Sequence, residues 1–107
     1  MRVTEDRDEF DRLQMELLCA VVESVQRELV GLRISSDDMQ EIVTNIAFSV
    51  SCAIDGSVIM KKDGKRIIPF LTFAKDAKAT EIITAGGTSW MHEYVHGVVD
   101  EYLKSHR

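Results

Sequence analysis

Two histidines and a glutamate near the carboxyl end of this chain have a spacing that can bind a metal ion, His92-Glu93-x-x-His96. Residues four apart share one face of an α-helix, so His92 and His96 could direct both imidazoles at one ion. Glu93 could reach a metal-bound water and act as its general base. Asp100, four residues after His96, could orient an imidazole as a hydrogen-bond acceptor. The pattern therefore predicts a metal site on one helix.

The spacing resembles that of the zincin metallopeptidases, and the resemblance covers these five residues only. It implies that His92 and His96 are zinc ligands. It also implies that Glu93 is the catalytic base of a zinc-dependent, peptidase-like hydrolase. Zinc is the cofactor that this interpretation requires.

A catalytic zinc site needs a third protein ligand. In the metzincin form of the motif a histidine stands where this chain has Tyr102. The third ligand would have to come from upstream, for example Glu81, or from another chain. His106 is the only histidine that follows His96. Because no complete catalytic set is visible, the sequence favours a non-enzymatic protein without a cofactor, in which the histidines are ordinary helix residues.

A second set of chemically active residues is a group of four cations around an Asp-Gly turn: Lys61, Lys62, Lys65 and Arg66. They could bind an anionic partner, or they could form a solvated tip that resists edge-to-edge aggregation. No aromatic residues interleave with them, which argues against base stacking. The net charge of −5 and the pI near 5.1 also argue against a nucleic-acid partner.

The first element that positions these residues is a long N-terminal helix. Thr4 can cap it, acidic residues fill its first turns, and Gly31 can end it. Apolar residues recur every three and four positions and spread beyond one narrow face. Such a helix is either central in the fold or covered by a partner. Its excess of apolar surface predicts a homodimer.

The remaining elements follow in order along the chain. Ser35 and Ser36 begin a second helix, which Asp55-Gly56 ends. Two β-prone runs, 57–62 and 65–73, flank Asp63-Gly64 and predict a type I′ hairpin that pairs Lys62 with Lys65 and Met60 with Ile67. Residues 80–84 form a third strand or a short helix, with strand favoured. The last helix covers 88–104.

This order, α-α-β-β-β-α, predicts one α+β domain over residues 1–107. We expect a three-stranded antiparallel meander with helices packed on one face. The chain has no apolar run long enough to span a membrane and no signal peptide at its start. Cys19 and Cys52 are expected as buried thiols. We therefore expect a cytoplasmic interaction or regulatory domain that acts through protein contacts as a homodimer.

Overall fold

The computed structural model describes residues 1–105, and this part of the chain contains three α-helices and five short strands. It confirms an α+β fold with two long helices in the N-terminal half and one helix at the C-terminal end. In chain order the elements are β1 (Arg2–Glu5), α1 (Arg7–Leu29), α2 (Ser36–Ile54), β2 (Met60–Lys62), β3 (Lys65–Ile67), β4 (Phe73–Ala74), β5 (Glu81–Thr84), a 3₁₀ turn (Met91–Tyr94) and α3 (Val95–Ser105).

The sheet is not the single meander that we expected. Strand β5 lies in the centre of one sheet, parallel to β1 and antiparallel to β4, while β2 and β3 form a separate two-stranded sheet. The run 65–73 does not continue as one strand, because β3 ends at Ile67 and Pro69 follows, without an N–H for a ladder. Strand 80–84 is confirmed over Glu81–Thr84.

The N-terminal segment is the main element that the sequence prediction missed. Residues Arg2–Glu5 form a strand, so Thr4 does not cap a helix. The cap is Asp6, whose carboxylate accepts a hydrogen bond from the backbone N–H of Glu9 at 3.1 Å. Arg2 pairs in register with Glu81, and their side chains form an ion pair. A parallel partner this distant in sequence leaves no local pattern to detect.

Helix α1 is central in the fold, which is one of the two alternatives that its broad apolar surface allowed. It contacts α2, α3, the 3₁₀ turn and β5. The main core lies between the three helices and includes Leu18, Val22, Val43, Val95 and Val99, all fully buried. A second, smaller core joins the start of α1 to the sheet through Phe10, Ile83 and Phe73. Because the other elements already cover α1, its broad apolar surface does not by itself indicate a homodimer.

The hairpin has the predicted register and turn. Lys62 pairs with Lys65, and Met60 with Ile67. Asp63 has a φ of 53° and Gly64 a φ of 77°, the two positive angles that a type I′ turn requires.

The final helix is shorter than predicted. Residues Met91–Tyr94 form a 3₁₀ turn, and the α-helix proper begins at Val95. The hydroxyl of Ser89 accepts a hydrogen bond from the N–H of Met91 at 3.1 Å, and the N–H of Glu93 bonds to the carbonyl of Trp90 at 2.9 Å. His92 and His96 therefore do not sit on one continuous α-helix, which was the geometric premise of the metal prediction.

The two cysteines are less buried than the sequence predicted. Cys19 and Cys52 are both free, but Cys19 is exposed and Cys52 only half-buried, so neither is the fully buried thiol that we expected. No helix within residues 1–105 is long and apolar enough to cross a membrane.

Candidate functional site

Within residues 1–105, a group of four hydrogen bonds joins Asp55, at the end of α2, to Ser57 and to His92 in the 3₁₀ turn. One carboxylate oxygen of Asp55 accepts hydrogen bonds from the backbone N–H of His92, at 3.0 Å, and from its ring Nδ1. The other oxygen accepts from the backbone N–H of Ser57, at 3.0 Å, and from its hydroxyl, at 2.6 Å. Four donors thus converge on one carboxylate.

Burial makes this carboxylate sensitive to its partners. The Asp55 side chain is 0% exposed, and that of His92 is 27% exposed. Burial raises the pKa of Asp55, but the hydrogen bonds from Ser57 and His92 lower it by more, so the net pKa lies below its ordinary value. Asp55 is therefore a carboxylate in the folded protein. Because a carboxylate only accepts hydrogen bonds, Nδ1 of His92 carries the proton that it donates to Asp55.

Serine, histidine and aspartate meet here, but not as a nucleophilic triad. In such a triad the serine hydroxyl bonds to the imidazole nitrogen opposite the one that the aspartate holds. Here the Ser57 hydroxyl lies 3.3 Å from Nδ1 of His92, the same nitrogen that bonds to Asp55. The hydroxyl donates to Asp55, and Nδ1 of His92, which donates to the same carboxylate, cannot take its proton. The group therefore fixes the 3₁₀ turn to the end of α2.

A shallow pocket of about 240 Å³ opens beside this group, where the chain leaves α2 for the hairpin. The side chain of Arg66 reaches back from β3 and donates a hydrogen bond to the carbonyl of Gly56 at 3.2 Å. Trp90, which is 50% exposed, forms part of the pocket wall. The full lining is Asp55, Gly56, Ser57, Arg66, Ile68, Thr88, Ser89, Trp90 and His92.

The other two residues of the histidine motif face different surroundings. His96 is exposed, and its ring centroid lies 6.4 Å from that of Phe48, while the ring of His92 lies 5.9 Å from Phe48 in a perpendicular arrangement. Glu93 is exposed and lines a separate groove with Met15 and not the pocket of His92. Glu93, the predicted base, thus lines a different surface from His92, the predicted ligand next to it.

The residues considered as further metal partners are engaged elsewhere. Glu81 pairs with Arg2, and Asp100 lies 3.1 Å from Lys104. Within residues 1–105 no group of three His, Cys, Asp or Glu side chains could hold a metal ion. A third zinc ligand would have to come from outside the described residues, which include neither His106 nor a second chain. The zinc site at His92 and His96 stays a prediction.

The four predicted binding cations do lie together on the hairpin, but they are not equivalent. Lys61, Lys62 and Lys65 are exposed at its tip. Arg66 is also exposed, and it is tied back to Gly56. Three lysines are therefore available to an anionic partner, and Arg66 anchors the base of the hairpin.

The hairpin also exposes much apolar surface. We call residues 57–70 the hairpin arm. Within residues 1–105, strands β2 and β3 pack mainly against each other and make little contact with the other helices and strands. Six large apolar side chains of the arm are between 43% and 67% exposed: Val58, Ile59, Met60, Ile67, Ile68 and Phe70.

Sequence reasoning missed two features of this region. Asp55 was interpreted only as a turn residue, although an aspartate two residues before a serine can bond to that serine's N–H, as it does here. Its contact with His92 joins residues 37 apart in sequence and has no local signal. The second missed feature is Trp90, which lines the pocket just before the 3₁₀ turn.

The chain shows no significant match to a protein family, a curated protein or a solved structure.

Proposed function

We propose that this chain is a protein-interaction domain that binds through its hairpin arm and works as a homodimer. The observation that carries the proposal is the apolar surface of the arm, on which Met60 is 43% and Ile67 44% exposed. Contiguous apolar patches with a polar rim are typical of protein-binding surfaces. Here the lysines of the tip form that rim.

The shape of the arm supports the same conclusion. Strands β2 and β3 have three residues each, and neither pairs with another strand within residues 1–105. An isolated two-stranded hairpin is only marginally stable in water. A partner that covers the apolar side chains would stabilise the arm. Complete burial of a fully exposed large apolar side chain contributes about 1.5–3 kcal/mol, and these side chains, which are about half exposed, would contribute a corresponding part of it.

Charge favours a second copy as the partner. The whole chain carries −5, whereas the arm holds four cations and one aspartate and so carries +3. The rest of the chain therefore carries −8, and the arm of one copy is attracted to the body of another. Opposite charges on two surfaces raise the rate and the specificity of their association.

The test is the molar mass in solution, measured by size-exclusion chromatography with light scattering over a dilution series. We expect the wild-type mass to rise from one chain, 12.1 kDa, towards two as concentration increases. The double variant Met60→Ser, Ile67→Ser should stay at one chain.

The control is Val30→Ser, Leu32→Ser, which removes two apolar side chains that lie outside the arm and are more exposed than Met60 and Ile67. The control should dimerise as the wild type does. If the wild type keeps the mass of one chain up to about 100 µM, its free energy of association is weaker than about 5 kcal/mol. That result would contradict the proposal.

A further inference from the structure

A groove runs along the contact between α1 and α3, on the surface that Glu93 faces. Its floor is apolar and is formed by Met15, Val98 and the rings of Tyr94 and Tyr102. Two adjoining hollows, of about 360 Å³ and 260 Å³, share Met15, Val98 and Glu101 and form one continuous depression. The floor residues belong to the helical core or pack against it, so the groove is part of the rigid body of the molecule.

The groove has an acidic rim. Glu93 and Glu101 line it directly, and both are exposed. Although Cys19, which lies in the groove, is exposed as a residue, partial burial of its thiol raises its pKa, and the negative charges of Glu16 and Glu101 raise it further.

Two basic side chains lie near the far end of the groove, and each is paired with a carboxylate. Lys104 is paired with Asp100, and Arg27, whose charge acts on Tyr102, is paired with Glu23. An apolar, cationic segment would therefore complement this groove.

The hairpin arm is a segment of that kind. Residues directly opposite each other in a two-stranded sheet share a face, and faces alternate along each strand. Arg66 faces the pocket at the base of the arm, and its partner Lys61 shares that face. The pairs Met60 with Ile67 and Lys62 with Lys65 consequently share the opposite face. That outer face combines two apolar side chains with two ammonium groups.

We propose that the α1–α3 groove receives the hairpin arm of a second copy, so that two chains exchange arms reciprocally. Met60 and Ile67 of each arm cover the apolar floor, and Lys62 and Lys65 meet Glu93 and Glu101 at the rim. This inference rests on the proposed function above and names the surface on which the partner lies. It gives Glu93 a role in binding.

The dimensions of the arm and the groove agree. Residues 57–63 on one side of the hairpin, of which β2 is three, would reach at most about 23 Å if fully extended at ~3.3 Å per residue. The groove follows the chain from Glu93 to Ser105, which is about 18 Å at ~1.5 Å per residue. The 14 residues of the arm and the nine that line the groove set an upper limit of 23 residues per chain for this contact, which reaches the roughly 20–30 that a standard interface uses on each side.

Electrostatics distinguishes this arrangement from its main alternative, in which the two arms pair edge to edge. That contact would bring two tips of +3 together, and like charges in close contact disfavour association. A reciprocal exchange places each basic arm on an acidic rim. It also closes the assembly at two chains, because both arm-in-groove contacts form between the same two copies and leave no arm or groove free for a third.

The experiment is a charge exchange between two variants. The groove variant is Glu93→Lys, Glu101→Lys, and the arm variant is Lys62→Glu, Lys65→Glu; all four positions are exposed. Each variant alone should dimerise roughly 100-fold more weakly than the wild type, because like charges then face each other at both contacts. A mixture of the two should form a heterodimer of wild-type strength, because each arm again meets a groove of opposite charge.

The outcomes separate this inference from the proposed function. The arm-in-groove contact is wrong if both variants dimerise as strongly as the wild type, or if two folded, monomeric variants fail to pair when mixed. Either result leaves the proposed interaction domain uncontradicted. A wild type that stays monomeric at all concentrations overturns both the arm-in-groove contact and the proposed homodimer. Thermal melts followed by circular dichroism establish that each variant is folded before its mass is interpreted.

Discussion

The carboxylate of Asp55 holds His92 by two atoms at once, the backbone N–H and the ring Nδ1. This relationship fixes the 3₁₀ turn against the end of α2 and at the same time sets the direction in which the hairpin arm leaves the helix, because Asp55 also binds the backbone of Ser57. The histidine that the sequence presents as a metal ligand is thus part of a structural joint at the base of the arm.

The first prediction concerns the stability of that joint. Asp55→Ala should lower the free energy of unfolding by about 2–3 kcal/mol, because it leaves the donors of His92 and Ser57 without their charged acceptor. Asp55→Asn should cost less, since its amide oxygen can still accept from Ser57. The measurement is urea unfolding followed by the fluorescence of Trp90, the single tryptophan.

The control for this experiment is Glu41→Ala, which removes an exposed carboxylate from the same helix. It should change the unfolding free energy by no more than about 0.5 kcal/mol. If Asp55→Ala and Glu41→Ala have equal effects, the carboxylate does not fix the turn.

The hairpin shows what the sequence could predict. Its register and turn type depend on neighbouring residues, because Asp63-Gly64 accepts two positive φ angles and the flanking runs favour strands. The same holds for the start of α2, where Ser35 caps the helix by accepting from the N–H of Asp38 at 3.2 Å. Each of these features is specified within a few residues.

The features that the sequence could not predict join residues that are far apart. The N-terminal strand exists because Val3 and Thr4 pair with Ile82 and Ile83, and nothing within Arg2–Glu5 indicates that partner. The 3₁₀ turn replaces the first turn of the last helix because Asp55 and Ser89 take up the N–H groups of His92 and Met91. The histidine spacing assumed a helix that these tertiary contacts override.

The second prediction is a pH dependence that originates in the turn before β5. Asp76 accepts hydrogen bonds from the hydroxyl of Thr80, at 2.8 Å, and from the N–H of Lys78, at 2.9 Å. These bonds, that of the Thr80 hydroxyl first, lower the pKa of Asp76 below 3.8. A depressed pKa means that the ionised group stabilises the fold above pH 3.8, and that this contribution is lost as pH falls through the lower, folded value.

The measurement is the difference in unfolding free energy between wild type and Asp76→Ala as a function of pH. We expect it to be largest near neutral pH and to shrink towards zero below the folded pKa of the carboxyl. In a carbon-detected NMR titration, Thr80→Val should move the pKa of Asp76 upwards, because the strongest of its hydrogen bonds is gone. A stability difference that stays constant in acid would show that the carboxylate does not contribute through its charge.

The last prediction concerns the H-E-x-x-H segment and its metal. Protein purified without chelator or metal-affinity tag should hold far less than one zinc per chain by mass spectrometry, because residues 1–105 supply no third ligand beside His92 and His96. His92→Ala should lower the unfolding free energy by about 1–2 kcal/mol through its lost bond to Asp55, and exposed His96→Ala by no more than about 0.5 kcal/mol. A chelator should leave the melting temperature unchanged. The opposite result would establish a metal centre: one zinc per chain in the wild type, lost in both variants, with an equal loss of stability in each. The stability would fall because an ion bound only to the native state adds to its free energy of unfolding.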